Sequence, residues 1–494
     1  MGLVTPVDAV PVSELGRVHF TGIGGAGMSG IARIMLSLGV AVSGSDSAPS
    51  AQLDELAALG AVVSVGHAAA NLGEADTLVV SSAIRGDNPE LAAARARGLR
   101  VLHRAAALAC LMLGRQGIAI AGTHGKTTTT SMITTILRGC GADPSYVIGG
   151  VLAGTGLGAD HGTGPAFVAE ADESDGSFLM LSPAAAVVTC VEADHLDNYA
   201  DLAQIKAAFR AFARQITGGA AAAGPAGGGL LVACADDPGA AELARLAAGD
   251  PAASPGLRVV TYGTAATADY RVTSVQPRGM ATSLTITPPA GTAGAAGPEP
   301  VTFEIAVPGR HNALNAAAAF ALAAELGYPA GPIAAGLAAY GGARRRMELK
   351  GEADGVRVVD SYAHHPTELA ADLAAARDIA AGGRVIALFQ PHLFSRTRIF
   401  AADLGAALGL ADEVLVLDVY AAREDPEPGV TGQLVASAVP GGLAQFLPDR
   451  AGAPAVIAGL AKPGDLVLTM GAGDVTALGP LILAALRERA GEPG

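Results

Sequence analysis

The stretch Ile118-Ala-Ile-Ala-Gly-Thr-His-Gly-Lys-Thr-Thr-Thr-Thr130 constrains this chain more than any other. Its apolar run predicts a buried strand that breaks at Gly122. Beyond Lys126, Ser131-Met-Ile-Thr-Thr-Ile-Leu137 continues in a helical pattern. A strand, a glycine turn and a helix N-terminus make a phosphate cradle. Backbone N–H groups converge there, the helix dipole favours negative charge, and Lys126 adds a point charge. Thr127 stands where such loops place a hydroxyl on Mg²⁺. The loop is shorter than the usual one: Ile120 occupies the position six before the lysine where a glycine is customary, so Gly122 and Gly125 do the bending. The alternative is an ordinary glycine turn after a strand. The lysines are only Lys126, Lys206, Lys350 and Lys462, and one placed inside a glycine loop stands out.

The chain has 494 residues, which on the usual domain size predicts about three domains. Half of it is hydrophobic with no tryptophan, so the apolar bulk is Ala, Val, Leu and Ile, suited to helices layered on parallel sheets. A net charge of −14 argues against a nucleic-acid scaffold. Cys110, Cys140, Cys190 and Cys234 are scattered without a C-x-x-C pair, as in a reducing compartment. Asp8 and Glu14 interrupt any signal peptide, and the apolar run 105–113 is too short to span a bilayer. These features predict a soluble cytoplasmic protein with no membrane insertion; they do not address its oligomeric state.

In chain order, a strand at 18–20 leads into Gly22-Ile-Gly24-Gly25-Ala-Gly27-Met-Ser-Gly30 and a helix over 31–38. This contains G-x-G-x-x-G, and a second strand at 40–43 ends near Asp46, where dinucleotide folds place a ribose-binding acid. Physically, the motif says that a pyrophosphate can approach the backbone at a helix N-terminus. Strands at 62–65 and 77–80, with helices over 51–59 and 90–97, complete a small doubly wound domain, residues 1–115.

A second domain, 116–341, opens with the Lys126 loop and a glycine-rich loop over 149–164. A strand at 166–169 delivers Glu170, Asp172, Glu173 and Asp175, and one at 186–191 delivers Glu192, Asp194, His195 and Asp197. Parallel strands ending in carboxylates beside a phosphate loop supply hard oxygen ligands for Mg²⁺. Glu173 and His195 are the expected metal neighbours, while Asp172, Asp175 and Asp197 read as helix caps. Segments 220–229 and 288–300 read as loops or mobile insertions, with sheet at 258–262 and 270–286 between them. His311, Asn312 and Asn315 open an alanine-rich helix running through residue 324, either as ligand contacts or with Asn312 as a cap. The third domain, 342–494, repeats the α/β rhythm. Its strands at 356–360, 384–389, 414–418 and 465–469 end in polar residues, where open α/β sheets bind ligands.

Taken together, the chain resembles the Mur ligase family, the ATP-dependent amide-forming enzymes of peptidoglycan precursor synthesis. The likeness spans essentially the whole chain. It rests on His19-Phe-Thr-Gly-Ile-Gly-Gly-Ala-Gly-Met-Ser-Gly30, Gly122-Thr-His-Gly-Lys-Thr127, Glu170-Ala-Asp-Glu-Ser-Asp175, Asp194-His195, His311-Asn-Ala-Leu-Asn315, Arg345-Arg346, His364-His365-Pro-Thr-Glu368 and Gln390-Pro-His-Leu-Phe-Ser-Arg396. It implies three α/β domains: an N-terminal Rossmann-like domain, a central P-loop-type ATPase with a mostly parallel sheet, and a C-terminal Rossmann-like domain. It also implies joining of L-alanine to the lactyl carboxylate of UDP-N-acetylmuramate through an acyl phosphate, with ATP and Mg²⁺ or Mn²⁺.

Carried over residue by residue, Gly24, Gly25, Gly27, Met28 and Ser29 would cradle the UDP pyrophosphate, with Asp46, His67 and Ser82 on the uridine side. Gly122, Thr123, His124, Gly125, Lys126, Thr127 and Thr128 would hold ATP, with Thr127, Glu173 and His195 at the metal. His311, Asn312 and Asn315 would face adenine, and Arg346 the γ-phosphate. Tyr362, His364, His392 and Arg396 would surround alanine, with His364 a candidate base; Lys126, His195, Arg346 and His364 form the catalytic set. Domain closure would bring Arg346 and the alanine pocket onto the ATP domain. The family usually has an aspartate where Ser361 stands and often a glycine where Ala363 stands, so Ser361 is left outside the site and Asp360 is a candidate substitute. Lys206 does not match the carbamylated lysine of sister ligases. The competing readings are a recycling ligase that adds a tripeptide to the same UDP-sugar, an NAD-dependent dehydrogenase resting on the first glycine loop alone, and a non-catalytic nucleotide-binding scaffold.

Overall fold

In the computed structural model, residues 4–196, 198–217, 228–250, 255–291, 299–422 and 424–491 are described. Asp197 and most of the expected insertions at 220–229 and 288–300 lie outside them. The described chain forms an α/β architecture with three sheets. It divides into two compact units: Met1–Thr273, Thr285–Phe303 and Leu314–Tyr340 in one, and Ser274–Leu284, Glu304–Ala313 and Gly341–Gly494 in the other.

The first sheet joins β1 (Val18–Thr21), β2 (Val42–Asp46), β3 (Val62–Val65), β4 (Thr77–Val80) and β5 (Arg100–His103) in the order β3-β2-β1-β4-β5, all parallel. The order reverses beside β1, and the loop after β1 is the glycine-rich one, as open α/β sheets place their ligand crevices. Helix α1 (Ala26–Ser37) starts directly after Gly25, five residues earlier than the sequence pattern suggested. Glycines hid its first turn from periodicity. The expected strand at 40–43 is instead Val42–Asp46. Helices α2 (Ala51–Ala58), α3 (Pro89–Ala96) and α4 (Arg104–Met112) follow. Helix α4 is the apolar run noted above, and its residues from Ala105 onward are buried.

The second sheet holds β6 (Gln116–Ala121), β7 (Ser145–Val147), β8 (Ala159–Asp160), β9 (Ala166–Glu170), β10 (Ala185–Val188), β11 (Leu230–Cys234), β12 (Arg258–Gly263), β13 (Tyr270–Arg278), β14 (Ala281–Thr287) and β15 (Val301–Ile305). Its order is β15-β14-β13-β12-β11-β10-β6-β9-β7-β8. The central strand β6 lies between β10 and β9, parallel to both, so the loop after β6 is flanked by the two acidic strand ends. The expected sheet at 270–286 is two strands separated at Gly279, and the glycine-rich loop 149–164 contains β8, paired antiparallel with β7. Helix α5 (Lys126–Gly139) follows β6; its face from Thr127 to Leu137 is almost wholly buried.

The third sheet, in the second unit, joins β16 (Glu348–Ala353), β17 (Val356–Ser361), β18 (Val385–Phe389), β19 (Glu413–Val416), β20 (Ala444–Phe446) and β21 (Leu466–Met470) in the order β16-β17-β21-β18-β19-β20. Only β16 runs antiparallel. One face packs on Leu369, Leu373, Phe389, Leu404 and Met470, the other on Val358, Leu388, Ile457 and Ile482. Among the described residues, no helix is long and apolar enough to cross a membrane.

Candidate active site

The first glycine turn is braced from below. The amides of Gly22 and Ile23 donate to the Ser45 carbonyl, and the Gly24 amide donates to Asp46 Oδ2 at 2.9 Å. Asp46 thus spends one oxygen on the turn and the other on the Ser47 amide. Behind it lies a residue the sequence reading missed. Glu90, on the first turn of α3, is fully buried. It accepts from Thr21 Oγ1 and Ser45 Oγ at 2.7 Å each, from Asn71 Nδ2 at 2.8 Å and from the Ala68 amide at 3.2 Å, with His19 Nε2 3.4 Å away. Burial pushes its carboxyl up, but the donors His19, Ser45, Thr21 and Asn71 outweigh that and bring it to about 2. The only sequence signal was the polar side chains His19, Thr21, Ser43 and Ser45 on otherwise buried parallel strands. His67 is held by Ser45 Oγ at 2.8 Å, near this cage. The Met28 side chain is buried, leaving its backbone on the turn. Ser29 Oγ turns back to the Ala26 carbonyl.

The second turn is stricter. Gly122 has φ +131° and a Cβ there would lie 2.0 Å from Thr189 Oγ1; Gly125 has φ +82° and a Cβ would lie 2.6 Å from Asn315 Oδ1. Only glycine fits either place. Asn315 is therefore seated against the loop. Lys126 Nζ donates to the Gly122 carbonyl at 2.6 Å and pairs with Glu173 at 2.9 Å. Burial would pull its ammonium down, but Glu173, then Asp172, hold it protonated well above the usual lysine range. Thr123 and His124 donate from their amides to the Cys190 carbonyl and Sγ, and His124 Nε2 faces Glu192 at 3.5 Å. Thr127 and Thr128 are buried on the first turn of α5.

Glu173 is 2 % exposed, and its Oε1 lies 3.5 Å from His195 Nε2. His195 holds a left-handed backbone, φ +53°, uncommon for a non-glycine residue. Its imidazole is pulled down by burial and raised more by Asp194 and Glu173, for a net upward shift. Two ligands of one Mg²⁺, each about 2.1 Å from it, stand roughly 3–4 Å apart, so the Glu173–His195 pair fits a shared divalent ion. Asp172 and Asp175 differ from the expected helix caps. Each accepts a nearby amide, from Ser174 and Ser177, bracing a turn. Each also reaches the first sheet's domain: Asp172 pairs with Arg104, and Asp175 accepts from Ser82 Oγ and faces His103 at 3.5 Å. Ser82 is thereby occupied at this junction.

In the second unit, Asn312 is not a cap. It lies inside the helix Arg310–Glu325 and donates from Nδ2 to the Pro308 carbonyl at 2.7 Å. His311 Nε2 stands 3.5 Å from Asp372 Oδ1. Around the ends of β17 and β18, Tyr362 meets His364 edge-on at 5.4 Å between centroids, and His364 meets His392 at 6.0 Å. His392 stacks on Tyr420, which the sequence reading missed, and Arg396 Nη1 lies 3.5 Å from His392 Nδ1. The guanidinium groups of Arg345 and Arg346 both lie over the Tyr362 ring, at 4.9 and 5.2 Å. Arg346 also faces Glu368 at 3.8 Å. His364 Nδ1 is 3.0 Å from the Tyr362 carbonyl, an acceptor only, so Nδ1 carries the proton and Nε2 is the basic nitrogen. His365 is the N-cap of the next helix. Asp360 is fully buried and committed to the fold, accepting from Thr469 and Thr476 at 2.7 Å each beside Arg345. Ser361, set aside on sequence, donates its hydroxyl to Asp372.

Two glycine turns at helix N-termini, the second flanked by acidic strand ends and a histidine, are the parts of a nucleotide-dependent enzyme. Three family profiles match in succession: the Mur ligase family catalytic domain over residues 17–116, the Mur ligase middle domain over 120–323, and the Mur ligase glutamate ligase domain over 345–473. The chain belongs to the Mur ligase family. It is 57% identical to the UDP-N-acetylmuramate–L-alanine ligase of Thermobifida fusca, over 98% of this chain and 100% of that protein. Among solved structures, the UDP-N-acetylmuramate-alanine ligase of Thermotoga maritima is similar at a TM-score of 0.77 and 27% identity, covering 96% of this chain and 100% of that one. The murein peptide ligase of Psychrobacter arcticus follows at 0.68 and 25%, covering 95% and 98%.

Proposed function

We propose that this chain joins L-alanine to the lactyl carboxylate of UDP-N-acetylmuramate at the expense of ATP, giving UDP-N-acetylmuramoyl-L-alanine, ADP and phosphate in the cytoplasm. The observation that carries this reading is the cluster of Lys126, Glu173 and His195 at the end of β6 and its neighbours, joined through Asp172 and Arg104 to the domain of the first glycine turn. Segments 1–115, 116–341 and 342–494 take the sugar nucleotide, ATP and the amino acid. The turn from Gly24 to Ser29 receives the pyrophosphate, with Asp46 and His67 beside the nucleoside.

Lys126 and the amides of residues 122–128 bind the ATP phosphates, and Asn315 meets the nucleotide from the helix against that loop. Glu173, His195 and Thr127 would hold Mg²⁺, which when bound neutralises phosphate charge and polarises the phosphoryl group. The lactyl carboxylate attacks the γ-phosphorus, ADP leaves, and the acyl phosphate forms. Lys126 and Arg346 spread the charge that develops. The neutral amine of alanine then attacks the acyl carbon, phosphate leaves, and His364 Nε2 takes the ammonium proton. Tyr362, His392 and Arg396 hold the amino acid.

The test is phosphate release from ATP and Mg²⁺ with UDP-N-acetylmuramate present and L-alanine, glycine, L-serine or the tripeptide added singly. Release that requires both the sugar and L-alanine is the expected result. Release with the tripeptide alone moves the chain to the recycling reaction, and tight NADH binding without release would sink the ligase reading.

A further inference from the structure

Asp372 lies within the helix Pro366–Ala380, a carboxylate among alanines and leucines, and is 8 % exposed. Its two oxygens serve two different segments of the second unit. Oδ2 accepts the hydroxyl of Ser361, the last residue of β17, and Oδ1 stands 3.5 Å from His311 Nε2 on the first turn of the helix Arg310–Glu325. Ser361 Oγ in turn accepts the Ala363 amide at 3.0 Å, so the hydroxyl ties the carboxylate to the loop carrying Tyr362 and His364. The far side of that loop is held separately, by Glu368 accepting the His364 amide at 3.1 Å. Gly309, at φ +98°, presses on the His311 ring: a Cβ there would lie 2.6 Å from Cε1. The imidazole is thus confined between a glycine turn and a carboxylate.

A buried carboxylate is costly unless polar groups face it; here they are the Ser361 hydroxyl, which anchors the Tyr362–His364 loop, and the His311 imidazole, expected at the nucleotide. We propose that Asp372 is a positioning residue that fixes two substrate-facing groups at once: the His311 imidazole on the nucleotide side and, through Ser361, the Tyr362–His364 loop on the amino-acid side. This rests on the function proposed above. Asp372 touches neither substrate. It sets the ring orientation of one contact and the backbone path of the other, so removing its charge loosens both while removing the serine hydroxyl loosens one. The Asp372 carboxyl is raised by burial against the lowering pull of His311.

The experiment uses the full chain with Ser361→Ala and Asp372→Asn, measuring KM for ATP, L-alanine and UDP-N-acetylmuramate, with ATP affinity read independently by calorimetry. Losing a buried hydrogen bond to a charged group changes binding by about tenfold. Asp372→Asn is expected to raise KM for ATP and L-alanine by about tenfold each and to weaken ATP binding in the calorimeter to match. Ser361→Ala is expected to raise KM for L-alanine alone. KM for the UDP-sugar, which belongs to the other unit, stays within about twofold in both. A folded Asp372→Asn with both constants unchanged overturns the inference, as does a Ser361→Ala that moves ATP and alanine equally. A purely structural role would lower the melting temperature without this split. If the parent shows no alanine-dependent turnover, the function reading fails, and the calorimetric arm still decides whether Asp372 orders the nucleotide contact.

Discussion

The chain builds the strand–glycine–helix cradle twice, after β1 and after β6, and equips the two copies differently. At the first, no lysine enters the turn, and an acid, Asp46, is spent bracing the backbone while Glu90 locks the strands behind it. At the second, Lys126 is tied to loop carbonyls and to Glu173, and β10, next to β6 in the sheet, leads to His195 with its left-handed backbone. One cradle is a rigid seat whose charge is used internally. The other keeps a cation, a carboxylate and an imidazole within a few ångströms, ready to exchange partners. Backbone shape alone makes a phosphate site; the chemistry depends on which charged groups the neighbouring strands deliver.

The sharpest break in that comparison is Lys126→Met. It should lower kcat by about a thousandfold or more, while the affinity for UDP-N-acetylmuramate measured by calorimetry stays within about twofold. A parallel loss of sugar affinity would show that the two cradles are not separate. Next is Gly122→Ala, which forces a side chain into φ +131° and onto Thr189; thermal unfolding should report a loss of about 3 kcal/mol. Gly24→Ala, whose Cβ meets the movable tip of Leu53 at 2.5 Å without a positive φ, should cost about 1 kcal/mol.

A further prediction concerns acid. Glu90 is lowered from 4.5 to about 2, so its contribution is complete above pH 4.5 and is lost as the pH falls towards 2. The amount is on the order of 3 kcal/mol, and Glu90→Gln should remove most of this acid sensitivity in denaturant titrations between those values. If the parent and variant curves stay parallel, the cage does not hold the first cradle. The smallest effect belongs to Asp46→Asn. It keeps the acceptor for the Gly24 amide and should weaken sugar-nucleotide binding by only about two- to fivefold. A larger drop would mean that the Asp46 charge, and not only its brace on the Gly24 amide, acts on the nucleoside beside it.

What the sequence made legible follows from range. A glycine turn between a strand and a helix is a local event, so both cradles, the acidic strand ends and the three sheets could be read from neighbouring residues. Periodicity failed where glycine replaced apolar residues, which is why α1 begins earlier than expected. Glu90 draws its partners from Thr21, Ser45 and Asn71, and Asp372 from Ser361 and His311; such sets are assembled only by the sheet topology. The departure at Ser361 looked like a missing carboxylate. In space, a carboxylate in the second turn of the next helix stands against it.

Helix α5 carries one last consequence. It opens with Lys126 and a run of threonines, and Thr130, Thr134 and Thr135 each donate a hydroxyl to the carbonyl four residues back, at 2.8 Å. β-Branched, self-bonding residues make poor helices in water, and so short a segment does not hold itself together. Its order is borrowed from the sheet it covers. The glycine loop at its N-terminus therefore owes its shape to the assembled strands β6, β9 and β10, to which it is hydrogen-bonded through Cys190.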